Sequence, residues 1–228
     1  LVGRTNSVYF EEFPKHGVDL KEVGDSIYLR GKLKDFNFTL PGNISSQFIS
    51  GLMLASGFCQ EDFNIRLTSE TESKPYIDMT IDVMKNFGVE VIEGKNSFTC
   101  RGKFSPINYV VEKDWSNALF FLAAGVRVLG LNKNSLQGDR EALEFLRDLG
   151  YVNISKEDFQ LKKIRDGKKN VILDAKNMPD AVPILSIMAA LSNTETEVIN
   201  IRRLRLKESD RVKSLSLIHI SEPTRLLS

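Results

Sequence analysis

One pattern occurs three times along the chain, and it restricts the fold more than any other feature. An apolar helix is followed by a short strand and then by a second, more amphipathic helix. In the first copy the apolar helix opens at Ser45-Ser46-Gln47 and runs through Phe48, Ile49, Leu52, Met53 and Leu54. Asn64 to Thr68 alternates as a strand does. The second helix has Pro75 in its first turn and stops at Gly88, both strong helix punctuation. The second copy opens at Asp114, passes through the strand-like Val126 to Leu131, and continues from Asp139 to a stop at Gly150. The third runs from Ala181 to Leu191, through Thr196 to Ile201, and into a helix over Lys207 to Lys213.

The first helix of each copy is apolar nearly all round, which predicts burial. Further strand signals fall at Val89 to Ile92, Ser97 to Arg101, Asn108 to Val111, Phe159 to Ile164 and Val171 to Asp174. The unit is therefore an α-β-α-β-β module, with helices expected inside and sheets outside. The charged stretch from Lys156 to Lys169 reads as a solvated hairpin. A length of 228 residues suits one large domain or two modest ones. A domain change is expected near Val111-Glu112, giving domains over 1–111 and 112–214. The stretch 215–228 breaks the pattern and reads as a non-native tail.

Balanced charge removes several functions. The formal net charge is +1 and hydrophobic residues make up 42%. No basic stripe interleaved with aromatics points to nucleic acid. No apolar run reaches the ~18 residues of a spanning helix, and neither a membrane role nor a signal peptide is expected. The cysteines, Cys59 and Cys100, lack metal-ligand spacing and read as buried thiols of a reduced, cytoplasmic protein. The histidines are His16, placed in a loop, and His219, in the tail. Histidine catalysis and a metal site are both poor fits.

The chemistry-bearing residues cluster at the helix starts. Helix N-termini present unpaired N–H groups and partial positive charge, which suit phosphate and carboxylate. Ser45, Ser46, Gln47, Ser73 and Asp180 sit at such starts, although these residue types also serve simply as caps. The run Arg205 to Arg211 packs three cations and two carboxylates into seven residues. On a helix, Lys207 and Arg211 would share a face and repel unless an anion lies between them. A bound carboxylate or phosphate would satisfy them, and so would a solvated charged face.

Five motifs in order carry a resemblance to a known family. They are Gly42-Asn-Ile-Ser-Ser-Gln47, Ser73-Lys-Pro-Tyr-Ile-Asp78, Glu112-Lys-Asp-Trp-Ser-Asn-Ala118, Met178-Pro-Asp-Ala-Val-Pro183 and Leu204-Arg-Leu-Lys-Glu-Ser-Asp-Arg211. From Leu1 to about Ser214 the chain resembles the 5-enolpyruvylshikimate-3-phosphate synthases (3-phosphoshikimate 1-carboxyvinyltransferases). The resemblance implies the two-domain enolpyruvyl transferase fold, an inside-out α/β barrel of small repeated units with the site in the cleft between domains. It implies transfer of the enolpyruvyl group of phosphoenolpyruvate to the 5-hydroxyl of shikimate 3-phosphate by addition and elimination. Phosphate is released, and no metal or organic cofactor is required.

By position, the resemblance assigns Ser45, Ser46 and Gln47 to shikimate 3-phosphate, with Ser73 at its phosphate and Tyr76 beside it. Asp180 would accept the 5-hydroxyl proton and Lys207 would hold substrate near it. Glu208 would move the proton at the methylene carbon, and Arg211 would clamp phosphoenolpyruvate. The chain departs from the family in several places. The family's lysine-serine-arginine and asparagine-glycine motifs are expected before Leu1, as is another phosphoenolpyruvate-binding arginine. A closing arginine and lysine are expected after Ser214. Thr5 stands where proline is usual, and Arg203 stands where some members use asparagine. The chain therefore reads as a fragment lacking both ends, with little transferase activity alone, from a monomeric parent enzyme. Two alternatives stand beside this reading. One is a non-catalytic fragment with a residual anion-binding surface. The other is the related UDP-N-acetylglucosamine enolpyruvyl transferase, which uses a loop cysteine that neither Cys59 nor Cys100 is placed to supply.

Overall fold

The structure, a computed structural model, describes residues 6–192, 194–207 and 209–221. The chain divides into two compact units, Leu1–Tyr109 and Val110–Ser228. Unit one begins with helix α1 (Ser7–Glu12), a 3-10 turn over Phe13–His16, and an exposed antiparallel hairpin of β1 (Val18–Val23) and β2 (Ser26–Gly31). One whole repeat follows. It comprises β3 (Asn37–Leu40), α2 (Ser46–Ser56), β4 (Phe63–Leu67), α3 (Lys74–Asn86), β5 (Glu90–Gly94) and β6 (Ser97–Arg101). The strands make one sheet in the order β3-β4-β6-β5, with β3 and β4 parallel and the other pairs antiparallel. Alternate residues of β4, namely Phe63, Ile65 and Leu67, turn inward against Ile49, Met53, Ile77 and Met84 of the two helices. Phe38 lies at the centre, stacked 5.0 Å from Phe63 and 4.2 Å from the His16 ring.

Unit two holds the other copies. The first comprises α4 (Trp115–Ala123), a 3-10 turn over Gly138–Glu141, α5 (Ala142–Asp148), and an antiparallel pair of β7 (Tyr151–Asn153) and β8 (Leu161–Lys163). Then come β9 (Asn170–Asp174), α6 (Val182–Ala190), β10 (Glu195–Ile199), a 3-10 turn over Ile201–Leu206, and α7 (Arg211–Ser221). Strands β9 and β10 are parallel. Trp115 is fully buried, edge-on to Phe159 at 4.8 Å, and its indole N–H donates to the Asn132 carbonyl.

Several expectations change. Val126 to Leu131 is not a strand, apart from one bridge between Val128 and Phe159. Gly130 has a φ of +68°, outside the strand region, and its N–H goes to the Asp158 carboxylate. Asn108 to Val111 is also no strand. Val110 is 92% exposed, and the segment falls where the two units meet in sequence. The apolar helices are not buried all round, since each packs on one side only. Leu54 of α2, Phe120 and Phe121 of α4 and Ile187 of α6 are exposed. Within Lys156 to Lys169, Phe159 and Leu161 are core residues, so the stretch is only partly solvated. Cys100 is buried, but Cys59 is only partly so. His16 lies not in a loop but at the end of a 3-10 turn, where it is buried, with one ring nitrogen 2.8 Å from Asp35 and the other 3.3 Å from Glu12.

Candidate active site

Parallel strand pairs bring the helix starts together, because both chains leave a parallel pair at the same end. In unit one, β3 leads to α2 and β4 leads to α3. The two connecting loops are tied directly: the Gly42 N–H donates to Ser69 Oγ at 2.9 Å, and the Glu72 N–H donates to the Gly42 carbonyl. Gly42 is required there, since a Cβ would lie 2.6 Å from the Ser69 carbonyl oxygen. Ser45 caps α2 by accepting the Gln47 N–H. Ser46 is buried and Gln47 exposed. Ser73 is fully buried at the start of α3, with a φ of +54° and no capping hydrogen bond from its side chain. Three residues on, Tyr76 offers its carbonyl to Thr80, whose hydroxyl also meets Ser50 of α2. Ser45, Ser46, Gln47, Ser73 and Tyr76 thus gather at one end of one sheet.

Unit two repeats the arrangement with charges. The Ala175 N–H donates to the Ile199 carbonyl, and Asn200 donates to Asp174, so the loops leaving β9 and β10 run side by side. The first loop carries Asp180 and the second carries Lys207. Asp180 Oδ1 accepts from Arg211 Nη1 at 2.6 Å and from Lys207 Nζ at 3.3 Å. Arg211 also donates to the Pro179 carbonyl. Lys207 is 13% exposed and Arg211 25%. Burial pushes the Lys207 ammonium below its ordinary pKa; Arg211 and Arg203 add to this, and Asp180 opposes it.

The route to this cluster differs from the one expected. Lys207 is not on a helix: it has extended backbone after a 3-10 turn, and α7 starts only at Arg211. Asp210 sets that start, since its carboxylate accepts the Lys213 N–H and its carbonyl the Ser214 N–H. Lys207 and Arg211 meet by sharing a carboxylate, not a helix face. Glu208 lies outside the described residues. Among the described residues, no cluster of histidine, cysteine, aspartate and glutamate could hold a metal ion. None of their helices is long and apolar enough to cross a membrane.

Asp139, which the sequence presents only as a helix opener, is a buried carboxyl. It is 4% exposed, and its Oδ1 has no hydrogen-bond partner. Burial and the Asp180 carboxylate push it up to about 7. Its only sequence signal is an aspartate just inside a helix start, which ordinary capping also gives.

The comparisons agree with the motifs. The family model of EPSP synthase (3-phosphoshikimate 1-carboxyvinyltransferase) matches residues 17–217. A 3-phosphoshikimate 1-carboxyvinyltransferase of Clostridium perfringens is 38% identical over 231 residues, covering 94% of this chain and 54% of the relative. That of Clostridium acetobutylicum is 45% identical over 199 residues, covering 83% of this chain and 46% of the relative. Among solved structures, an EPSP synthase of Acinetobacter baumannii superposes with a TM-score of 0.62 at 23% identity, over 89% of this chain and 50% of that one. An enolpyruvyl transferase of Streptomyces tendae gives 0.59 at 14%, over 85% of this chain and 52% of that one. These two likenesses carry the fold, which is the α/β enolpyruvyl transferase fold. The chain spans about half the length of the curated relatives it matches. With the motifs, the family model and the relatives in agreement, the chain belongs to the EPSP synthase family.

Proposed function

We propose that this chain carries part of the machinery that transfers the enolpyruvyl group of phosphoenolpyruvate to the 5-hydroxyl of shikimate 3-phosphate. The observation that carries the reading is Asp180 gripped by Arg211 and Lys207. An alcohol that attacks needs a base, and a carboxylate held among cations stays ionised and aimed. Asp180 takes the hydroxyl proton as the new C–O bond forms at the substituted enol carbon. Glu208 delivers a proton to the methylene carbon, giving a tetrahedral ketal, and takes it back as phosphate leaves. Lys207 holds shikimate 3-phosphate near that hydroxyl, and Arg211 clamps the anionic groups of phosphoenolpyruvate. The hydroxyl and amide groups of Ser45, Ser46, Gln47 and Ser73, with Tyr76 beside them, hold shikimate 3-phosphate. Unit one is then the shikimate 3-phosphate-binding domain. The parent enzyme works in the cytoplasm as a monomer.

Calorimetric titration with shikimate 3-phosphate tests the substrate half of this reading. Saturable binding that disappears in Ser46→Ala supports it, and no binding at millimolar ligand overturns it. Phosphate release is expected to be slight for this chain alone, and any release must require both substrates.

A further inference from the structure

Tyr9 has no part in the mechanism above, yet it grips the helix whose start carries three of the substrate contacts. Its hydroxyl donates to the Phe48 carbonyl at 3.0 Å. Phe48 lies in the first turn of α2, next to Gln47. A helix carbonyl already faces the N–H four residues on, so the Tyr9 bond occupies its second lone pair. The Tyr9 ring is held on two sides, stacked on Phe13 at 4.9 Å and edge-on to Phe48 at 4.8 Å. Burial pushes the hydroxyl up to about 12, so it remains a donor.

The helix is shaped to receive this side chain. Glycine inside a helix is less stable than alanine, and Gly51 stands within α2. A Cβ there would lie 2.7 Å from the Tyr9 hydroxyl oxygen, too close for the ring to keep its place. Helix α1 also reaches β3. Three residues after Tyr9, on the same face, Glu12 Oε1 accepts the Thr39 N–H at 2.7 Å. Burial opposes the charge on Glu12, but the bonds from Lys15, Thr39 and His16 outweigh it and hold the carboxyl below its ordinary range. One short helix therefore holds both the strand before loop 41–45 and the helix after it.

We propose that Tyr9 is a positioning residue for shikimate 3-phosphate binding: through the Phe48 carbonyl and its seat on Gly51 it sets the place of the first turn of α2, and so of Ser45, Ser46 and Gln47. The proposal deepens the reading of those three residues as substrate contacts and rests on it. Gln47 and Phe48 are adjacent in one turn, so no flexible link absorbs a shift between them. Ligand contacts are only as precise as the groups that fix them.

Tyr9→Phe keeps the ring and removes the hydroxyl, and the whole chain carries the test. Calorimetric titration should show shikimate 3-phosphate binding weakened about two- to tenfold, up to the worth of one hydrogen bond. A bond that only adds stability would lower the urea midpoint and leave the affinity of the folded chain unchanged. Gly51→Ala should also weaken binding. In the Tyr9→Phe background it should weaken it no further, because the oxygen its methyl strikes is gone. Either single variant suffices if the other does not fold. Without ligand, the amide NMR peaks of Ser46 and Gln47 should move in Tyr9→Phe while those of β6 stay in place. Unmoved Ser46 and Gln47 peaks, or unaltered affinity in the folded variant, overturns the proposal. If the unaltered chain binds no shikimate 3-phosphate, the substrate reading fails by itself, and the amide peaks still decide whether Tyr9 places the turn.

Discussion

In unit one the loops leaving the parallel strands present hydroxyls and an amide; in unit two the matching loops present a carboxylate and two cations. The backbone solution is the same. A parallel pair, β3 with β4 or β9 with β10, ends at one edge, and the following loops are stitched together there. The chemistry differs because neutral groups can be buried one at a time, as Ser46 and Ser73 are. Charges must be buried as a set. Topology thus chooses where a site lies, and side-chain charge chooses how tightly its members depend on one another.

The strongest way to break this comparison is to remove Asp180. Asp180→Ala leaves Lys207 and Arg211 facing each other without their anion, and about 2–3 kcal/mol should be lost from unit two. Residue-resolved hydrogen exchange should show that loss in unit two and leave the slow amides of unit one unchanged. An equal loss in both units would erase the distinction.

A pH titration sharpens it next. Asp139 has a folded-state pKa of about 7, raised above the unfolded value near 3.9. The folded state therefore holds a proton that the unfolded state has released. Its stabilising contribution is full below about pH 4 and is lost as pH rises through 7. Between pH 5 and 8 unit two should lose about 2–3 kcal/mol from this group. Denaturant unfolding of Asp139→Asn should lack that slope; the same slope in the variant would remove Asp139 as its source.

The neutral unit should respond more weakly. Ser45→Ala removes the cap of α2 and should cost about 1 kcal/mol, with no change between pH 5 and 8. Amide exchange within α2 measures it. Ser46→Ala removes one buried hydroxyl and should cost no more than about 1 kcal/mol in urea unfolding, although shikimate 3-phosphate binding should vanish. Loss of stability together with binding would make Ser46 a packing residue rather than a substrate contact.

The helix boundaries were legible where punctuation is local. Pro75 lies in the first turn of α3, and Gly88 and Gly150 carry φ values of +92° and +94° just beyond α3 and α5. Legibility failed at Val126 to Leu131, because an apolar run does not reveal that Asp158, Lys113 and Phe159 take up its backbone groups. At the candidate site the four-residue spacing of Lys207 and Arg211 implies two cations on one helix face, but the structure brings them together by another route. The helix was expected to supply a common face. In fact Asp210 starts that helix four residues after Lys207, and Asp180, from the previous loop, draws the cations together.

By itself the sequence determined the family, the repeat and most of the helices, because side-chain periodicity, helix punctuation and ordered motifs are properties of neighbouring residues. It also supplied the residues that line the strand ends. Only the tertiary structure decided which charges meet and which carboxyl is buried. Asp139 shows why. In sequence it is one aspartate at a helix start, no different from a cap. Its raised pKa comes from burial first and then from the Asp180 carboxylate, which lies far along the chain. Desolvation and Coulomb interactions depend on distance in space, and only the packed fold sets that distance.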